Sequence, residues 1–337
     1  MGWRARVKWL LAALSALAAL LVLLSSAALT QPGYVSVEEV VEYTVVGKFI
    51  LVNRHNATLN DFVYIALPQN TTFQESYIVR VEPPLLKLVR DEDGNVLGVM
   101  RVAAEPGEKI AVNAEYRVVV RGYRIRAELA RGEWPPFSVV ERYTSKTAYW
   151  NVYNLTLVEL AYSAAYADSP LDTAAKLASW VLSRLSYRVN LGRAGSDRAL
   201  VRVFGGYIVQ GDCVEAADVY VTMARALGLP ARTVYGVLLT SYSQKMWLNM
   251  TTVAEEGDAL LQHWGGHMWP QVYVPPYGWV DVDMLDGMSP DVGVYSARHI
   301  VFGVEETKYY GSALTSSCIP SYLDLEYVEY EFRGVRK

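Results

Sequence analysis

A cysteine placed at the start of a capped helix constrains this chain more than any other feature. The run Gly211-Asp212-Cys213-Val214-Glu215 leads into Ala217, Val221, Ala224 and Leu227 at helical spacing, and Gly228-Leu229-Pro230 ends it. Asp212 is a good N-cap, because its carboxylate can accept the N–H groups that a first helical turn leaves free. Glu215, three residues on, completes a capping box. Gly228 suits the left-handed position past a helix end, and Pro230 forbids continuation. Cys213 therefore falls at the first helical position, where the positive end of the helix favours thiolate over thiol. The adjoining Asp212 carboxylate opposes that effect, so a cationic histidine has to outweigh it.

Such a histidine and a partner acid follow downstream. From His267 to Val274 the spacing predicts a strand, with His267, Trp269, Gln271 and Tyr273 on one side. Pro275-Pro276-Tyr277-Gly278 is a turn, and Trp279 to Asp283 returns as a strand with Asp281 and Asp283 on one face. A hairpin sets its strands about 5 Å apart, which can bring a carboxylate to the imidazole. Thiol, imidazole and acid are the parts of a Cys–His–Asp nucleophilic site. The plain alternative for Cys213 is a buried apolar residue or a disulfide with Cys318, which would abolish that chemistry.

Length and composition set the frame. The 337 residues suit about two domains. With 52% apolar residues a sizeable core needs no covalent staples, and two cysteines are too few for a disulfide scaffold. The net charge of −4 comes with no basic block, which argues against a nucleic-acid partner. Arg4, Arg6 and Lys8 precede an uncharged apolar run from Trp9 to Leu29. A membrane-crossing helix takes about 20 such residues. A secretory signal has a shorter core and a small-residue cleavage site, which Ser25-Ser26-Ala27-Ala28 offers. Residues 1–30 are thus expected to be a signal peptide or an N-terminal membrane anchor. Either outcome puts the remainder outside the cytoplasm, because the positive flank stays inside. Sequons at Asn56, Asn70, Asn154 and Asn249 agree with that location only weakly.

The fold class expected is α+β. Residues 34–130 carry period-two alternation, as in Val112, Ala114, Tyr116, Val118 and Val120, and turns at Asp91–Asn95 and Pro106-Gly107-Glu108. They read as an antiparallel β-sandwich. Arg131–Pro136 is a crossing into a second domain, residues 138–337. There a helix is expected over 171–186, capped by Asp168 or Ser169. A strand is expected at Arg232–Val237, and a polar irregular insertion at 239–262 of the kind that forms lids. The C-terminal run Leu323–Phe332 alternates, with a bulge near Tyr327.

Residues from about 170 to 290 resemble the transglutaminase-like superfamily. The match lies in Gly211-Asp212-Cys213 with Met223 to Arg232, in His267-Met268-Trp269, and in Gly278-Trp279-Val280-Asp281-Val282-Asp283. The resemblance implies a papain-like core, in which the cysteine helix packs on an antiparallel sheet bearing His and Asp. It also implies Cys213 as nucleophile, His267 as base and Asp283 as orienting carboxylate, with Asp281 as second candidate. The backbone N–H of Cys213, with Gln210 or Tyr207 upstream, would meet the oxyanion. Many members carry Glu where this chain has Gln271, and no residue matches the transition-state Trp of true transglutaminases. The implied activity is hydrolysis of peptide or amide bonds through a thioester. Crosslinking of glutamine to amines and a non-catalytic surface binding module are the alternatives. The expected partner is a protein or peptide substrate, with no cofactor and no metal. His263 and His267 lie four apart, but Gly265-Gly266 between them makes a poor metal-binding helix. Asp91–Asn95 and Asp281–Asp286 lack the spacing of a calcium loop.

Overall fold

Alternation along two long strands builds the N-terminal half. The computed structural model describes residues 33–190, 192–257, 260–287, 289–304 and 323–337. Strand β1 (Val35–Asn53) buries Val41, Tyr43, Val45, Phe49 and Leu51. Four shorter strands follow: β2 (Leu59–Ala66), β3 (Gln74–Glu82), β4 (Leu85–Arg90) and β5 (Val96–Ala104). Strand β6 (Lys109–Ile125) then buries Ile110, Val112, Ala114, Tyr116, Val118 and Val120, and pairs antiparallel with β1. Strands β2, β5 and β4 form a separate three-stranded sheet. The Asp91–Asn95 stretch is a turn: both Asp91 oxygens accept from Asn95, at 2.8 and 2.9 Å.

Helices α1 (Phe137–Tyr143), α2 (Leu155–Ala165) and α3 (Pro170–Arg184) come next. The hydroxyl of Ser169 caps α3, accepting from Asp172 N at 3.0 Å, and Pro170 occupies its first turn. Its buried side carries Leu171, Ala174, Leu177, Ala178 and Val181. Asn154 caps α2 and donates to Asp197 at 2.7 Å, so this sequon asparagine has a structural task. Strand β7 (Leu185–Tyr187), the turn α4 (Ser196–Ala199), β8 (Leu200–Val203) and β9 (Gly206–Gly211) lead to helix α5 (Cys213–Ala226).

The second sheet carries the strands predicted to bear the histidine and the acid. Strands β10 (Ala231–Leu238), β12 (Gly266–Val274), β13 (Gly278–Asp283), β14 (Asp291–Val292) and β16 (His299–Val304) run in the order β14-β13-β12-β10-β16. Helix α5 packs on β12 and β10, and α3 packs on α5. The architecture is therefore α+β, with a cysteine-bearing helix laid on an antiparallel sheet.

Three findings refine the expectations. Residues 239–262 are not irregular throughout: Ser243–Asn249 is strand β11, which buries Met246 and Leu248. Its period of two was hidden by polar neighbours. The C-terminal strand β17 (Leu323–Arg336) lies between β11 and β1, so the six-stranded sheet joins both ends of the described chain. The pairing of β17 with β1 slips between Ile50 and Leu51 and leaves Glu326 without a partner in the ladder, next to the predicted bulge. Finally, the apolar run Trp9–Leu29 and Cys318 lie outside the described residues. Among the described residues no helix is long and apolar enough to cross a membrane, and the expectation of a transmembrane helix is corrected on that finding.

The two halves are joined by side chains that act as backbone. Gln74 donates to Val301 O and accepts from Val301 N, both at 2.8 Å. Asn95 does the same with Val304, at 2.7 Å in each direction. Together with Gln69 N, which also donates to Val301 O at 2.9 Å, these amides pair the outer edge of β16.

Gly236 on β10 is the tightest point of the second sheet. A methyl group there would overlap the carbonyl oxygen of Ile300 and come within 3.2 Å of Val301 Cα. Gly236 also pairs with His267 across the strands. Gly236→Ala is expected to cost about 3 kcal/mol by overpacking, read as a lowered midpoint in urea unfolding. An unchanged midpoint would show that β16 can move away freely.

Candidate active site

The start of α5 is built as the capping pattern requires. Asp212 Oδ1 accepts from Val214 N at 2.9 Å, and Glu215 Oε2 accepts from Asp212 N at 3.2 Å. Gly211 has φ +147°, and a side chain there would overlap Glu215. Both carboxylates also hold the preceding loop: Asn190 N donates to Asp212 at 2.9 Å and Asn190 Nδ2 to Glu215 at 3.2 Å. Burial, and then the Asp212 charge, push Glu215 up to about 7. Further along α5, buried Asp218 accepts from Arg193 at 2.6 Å and from Trp150 at 2.8 Å, which locks that loop from the other side.

Cys213 is part-buried at the head of α5 and forms no disulfide among the described residues. The sulfur lies beside the backbone of Met268, so the thiol sits against β12 one residue from His267. The expected preference for thiolate does not prevail. Burial, followed by the Asp212 charge, pushes the thiol well above its ordinary value, and the Met268 backbone offsets this only in part.

Register decides between the two candidate acids. Strand β13 pairs with β12 so that Asp281 faces Gln271. Asp281 Oδ1 accepts from Gln271 at 2.9 Å and from Trp269 Nε1 at 2.7 Å, while Oδ2 accepts from the Tyr123 hydroxyl at 2.6 Å. Its hydrogen bonds thus go to the sheet and to β6. Gln271 also accepts from Arg232 at 2.9 Å, so its amide bridges an arginine and a carboxylate; a glutamate could not donate to Asp281. Asp283, two residues on, reaches His267: His267 Nε2 lies 3.0 Å from Asp283 Oδ2. That leaves Nδ1 as the ring nitrogen available to the thiol proton. Leu285 N donates to Asp283 Oδ1 at 2.8 Å. Burial would raise Asp283, but His267 and His299 outweigh it and hold the carboxyl well below the usual range.

Cys213 and His267 line one cleft of about 450 Å³, with Tyr187, Trp264, Leu285 and Arg298 also in its wall. The indole N–H of Trp264 is buried with no hydrogen-bond partner among the described residues. Gln210 is exposed on β9 and Tyr207 lies three residues before it; the described wall of the cleft holds Tyr187 in their stead. His263 stacks on Trp247 at 4.3 Å, away from His267's partners.

Sequence reasoning missed His299. Its Nε2 lies 2.8 Å from Asp283 Oδ2, so one carboxylate oxygen serves two imidazoles. The local signal was slight: one of only four histidines, at the head of the apolar run Ile300-Val301-Phe302. His267, Asp283 and His299 bring metal-capable atoms within 4.8 Å of one another. The shared oxygen already accepts from both rings, so the cluster is a closed hydrogen-bond network.

Residues 159–284 match the family described as the Transglutaminase-like superfamily, and this part of the chain is a transglutaminase-like core. An uncharacterised protein of Haemophilus influenzae is 28% identical over 122 residues, which span 35% of this chain and 32% of that protein. The chain thus matches about a third of that relative's length. Among solved structures, a candidate cysteine protease from Cytophaga hutchinsonii shares the fold, with a TM-score of 0.58 over 90% of this chain and 92% of that one, at 12% identity. The periplasmic domain of TgpA from Pseudomonas aeruginosa is a remoter likeness, with a TM-score of 0.33 at 15% identity over 74% of this chain and 90% of that one.

Proposed function

We propose that this protein is a thiol enzyme that hydrolyses peptide or amide bonds through a thioester on Cys213. One observation carries the reading: His267 is held by Asp283 at 3.0 Å and lines the same cleft as Cys213. In the reaction the Cys213 proton passes to His267 Nδ1 as the sulfur adds to the carbonyl carbon. The oxyanion meets the backbone N–H of Cys213 at the positive end of α5. His267 then protonates the nitrogen as the C–N bond breaks, and the amine leaves. Water, deprotonated by His267, releases the acid and restores the thiol. Asp283 keeps the ring oriented and stabilises the imidazolium.

The description of the Cytophaga hutchinsonii structure as a candidate cysteine protease supports a peptide substrate. The basic residues Arg4, Arg6 and Lys8 ahead of an apolar run support export from the cytoplasm. The test is a mixture of a glutamine-containing peptide and a labelled primary amine. Release of ammonia or peptide fragments without label is the expected result. Label joined to the peptide would make the protein a crosslinking enzyme. No reaction, with iodoacetamide labelling of Cys213 following an ordinary thiol near 8.5, would leave a binding module.

A further inference from the structure

The Asp283 carboxylate serves two imidazoles, and only His267 has a part in the chemistry proposed above. His299 heads β16 and is buried. Its Nε2 lies 2.8 Å from Asp283 Oδ2, and its Nδ1 lies 3.2 Å from the carbonyl oxygen of Ser296. A carbonyl oxygen cannot donate, and Asp283, which accepts from His267, His299 and Leu285 N, is ionised and cannot donate either. Both nitrogens of His299 must therefore carry hydrogen, and an imidazole with two N–H groups is a cation. We propose that His299 is a positioning residue of this site: as a fixed imidazolium it holds Asp283 in place and sets the charge against which Cys213 and His267 exchange a proton. The proposal rests on the Cys213–His267–Asp283 reading and extends it.

The surroundings agree. Asp283 from β13, Asp286 from the segment after it and Asp291 from β14 all act on this ring. The neighbouring cation, Arg298, is engaged by both Asp286 oxygens, at 2.6 and 2.8 Å. Tyr295 stacks on the ring at 5.2 Å, Trp269 meets it edge-on at 5.0 Å, and the His267 ring lies 5.9 Å away. Burial disfavours the cation, but the Asp283 hydrogen bond and charge outweigh it and raise His299 above an ordinary histidine.

A second imidazolium changes how the triad works. With His299 charged, Asp283 presents His267 with a neutralised pair instead of a bare carboxylate. The cation reaches the sulfur's site through His267, whose ring lies 5.9 Å from it and which lines the same cleft as Cys213. Loss of that positive charge makes a neighbouring proton harder to remove, so the thiol titrates at higher pH. The readout is therefore a shift in a pH profile, which a purely structural side chain would not produce.

Two measurements test this. In the full chain with ¹⁵N-labelled histidine, both His299 ring nitrogens are expected to be protonated at pH 7. The same spectrum of Cys213→Ala reads His299 with no thiol present, so a failed nucleophile assignment leaves this readout intact. In His299→Gln the side-chain amide keeps a donor toward Asp283 without the charge. There the pH of half-maximal iodoacetamide alkylation of Cys213 is expected to rise by about one unit, as for a unit charge several ångströms away at an effective dielectric near 20. A single protonated nitrogen at pH 7 overturns the proposal. So does an unshifted alkylation profile in folded His299→Gln. Displacement of protons from both His267 and His299 by equimolar Zn²⁺ also overturns it, since the cluster would then be a ligand set. If His299→Gln does not fold, the spectrum of the unaltered chain decides.

Discussion

Cys213→Ala is expected to abolish turnover, by about 10⁵-fold or more, while the thermal midpoint stays close to that of the unaltered protein. The chemical loss is complete because, among the described residues, no other side chain lining the cleft is a thiol. The structural loss is small because the sulfur does not hold the helix. The cap is made by the side chains of Asp212 and Glu215 and by backbone groups. Alanine also has the best helix propensity. Removing the thiol leaves a gap of one atom beside an open cleft. Turnover of a peptide substrate and a melting curve on the same sample check both halves. Activity retained in this variant would sink the nucleophile assignment.

The second large effect separates two aspartates on one strand face. Asp283→Asn is expected to lower turnover by about 10⁴-fold, the scale seen when the third member of such a triad loses its charge. Asp281→Asn is expected to keep turnover within about tenfold and to lose stability instead. Tyr123 explains the difference: its hydroxyl donates to Asp281 Oδ2 and accepts from Asp281 N at 3.1 Å. An amide in place of Oδ2 cannot accept that hydrogen, and a buried donor left unmade costs roughly 1–3 kcal/mol. Kinetics below the melting range and a urea midpoint for each variant provide the comparison. An inactive Asp281→Asn beside an active Asp283→Asn would exchange the two roles.

What was readable in the sequence follows how far apart the interacting residues lie along it. Helix α5 could be read with its cap, because Asp212, Glu215 and the apolar stripe are local to one helix. The hairpin carrying His267 and Asp283 could be read as well, since its strands are joined by a tight three-residue turn. The choice of Asp283 over Asp281 needed register, which a period of two leaves undetermined. His299 was invisible because nothing near it along the chain mentions Asp283. The pairing of β17 with β1 is of the same kind: alternation marks a strand but not its neighbour. The raised thiol escaped for a different reason. Its helix position is local, whereas burial, which outweighs it, depends on the whole fold.

The amides of Gln74 and Asn95 complete the ladder of β16, the strand that His299 heads. The family-defined segment ends at residue 284, before that strand begins. A fragment cut at those limits would strip β10 of its neighbour on one flank and leave Val234, Tyr235 and Val237 beside an open row of backbone donors and acceptors. Such a flank recruits strands from other molecules. The N-terminal region thus supplies a wall to the sheet that carries His267 and Asp283, by pairing the outer edge of β16.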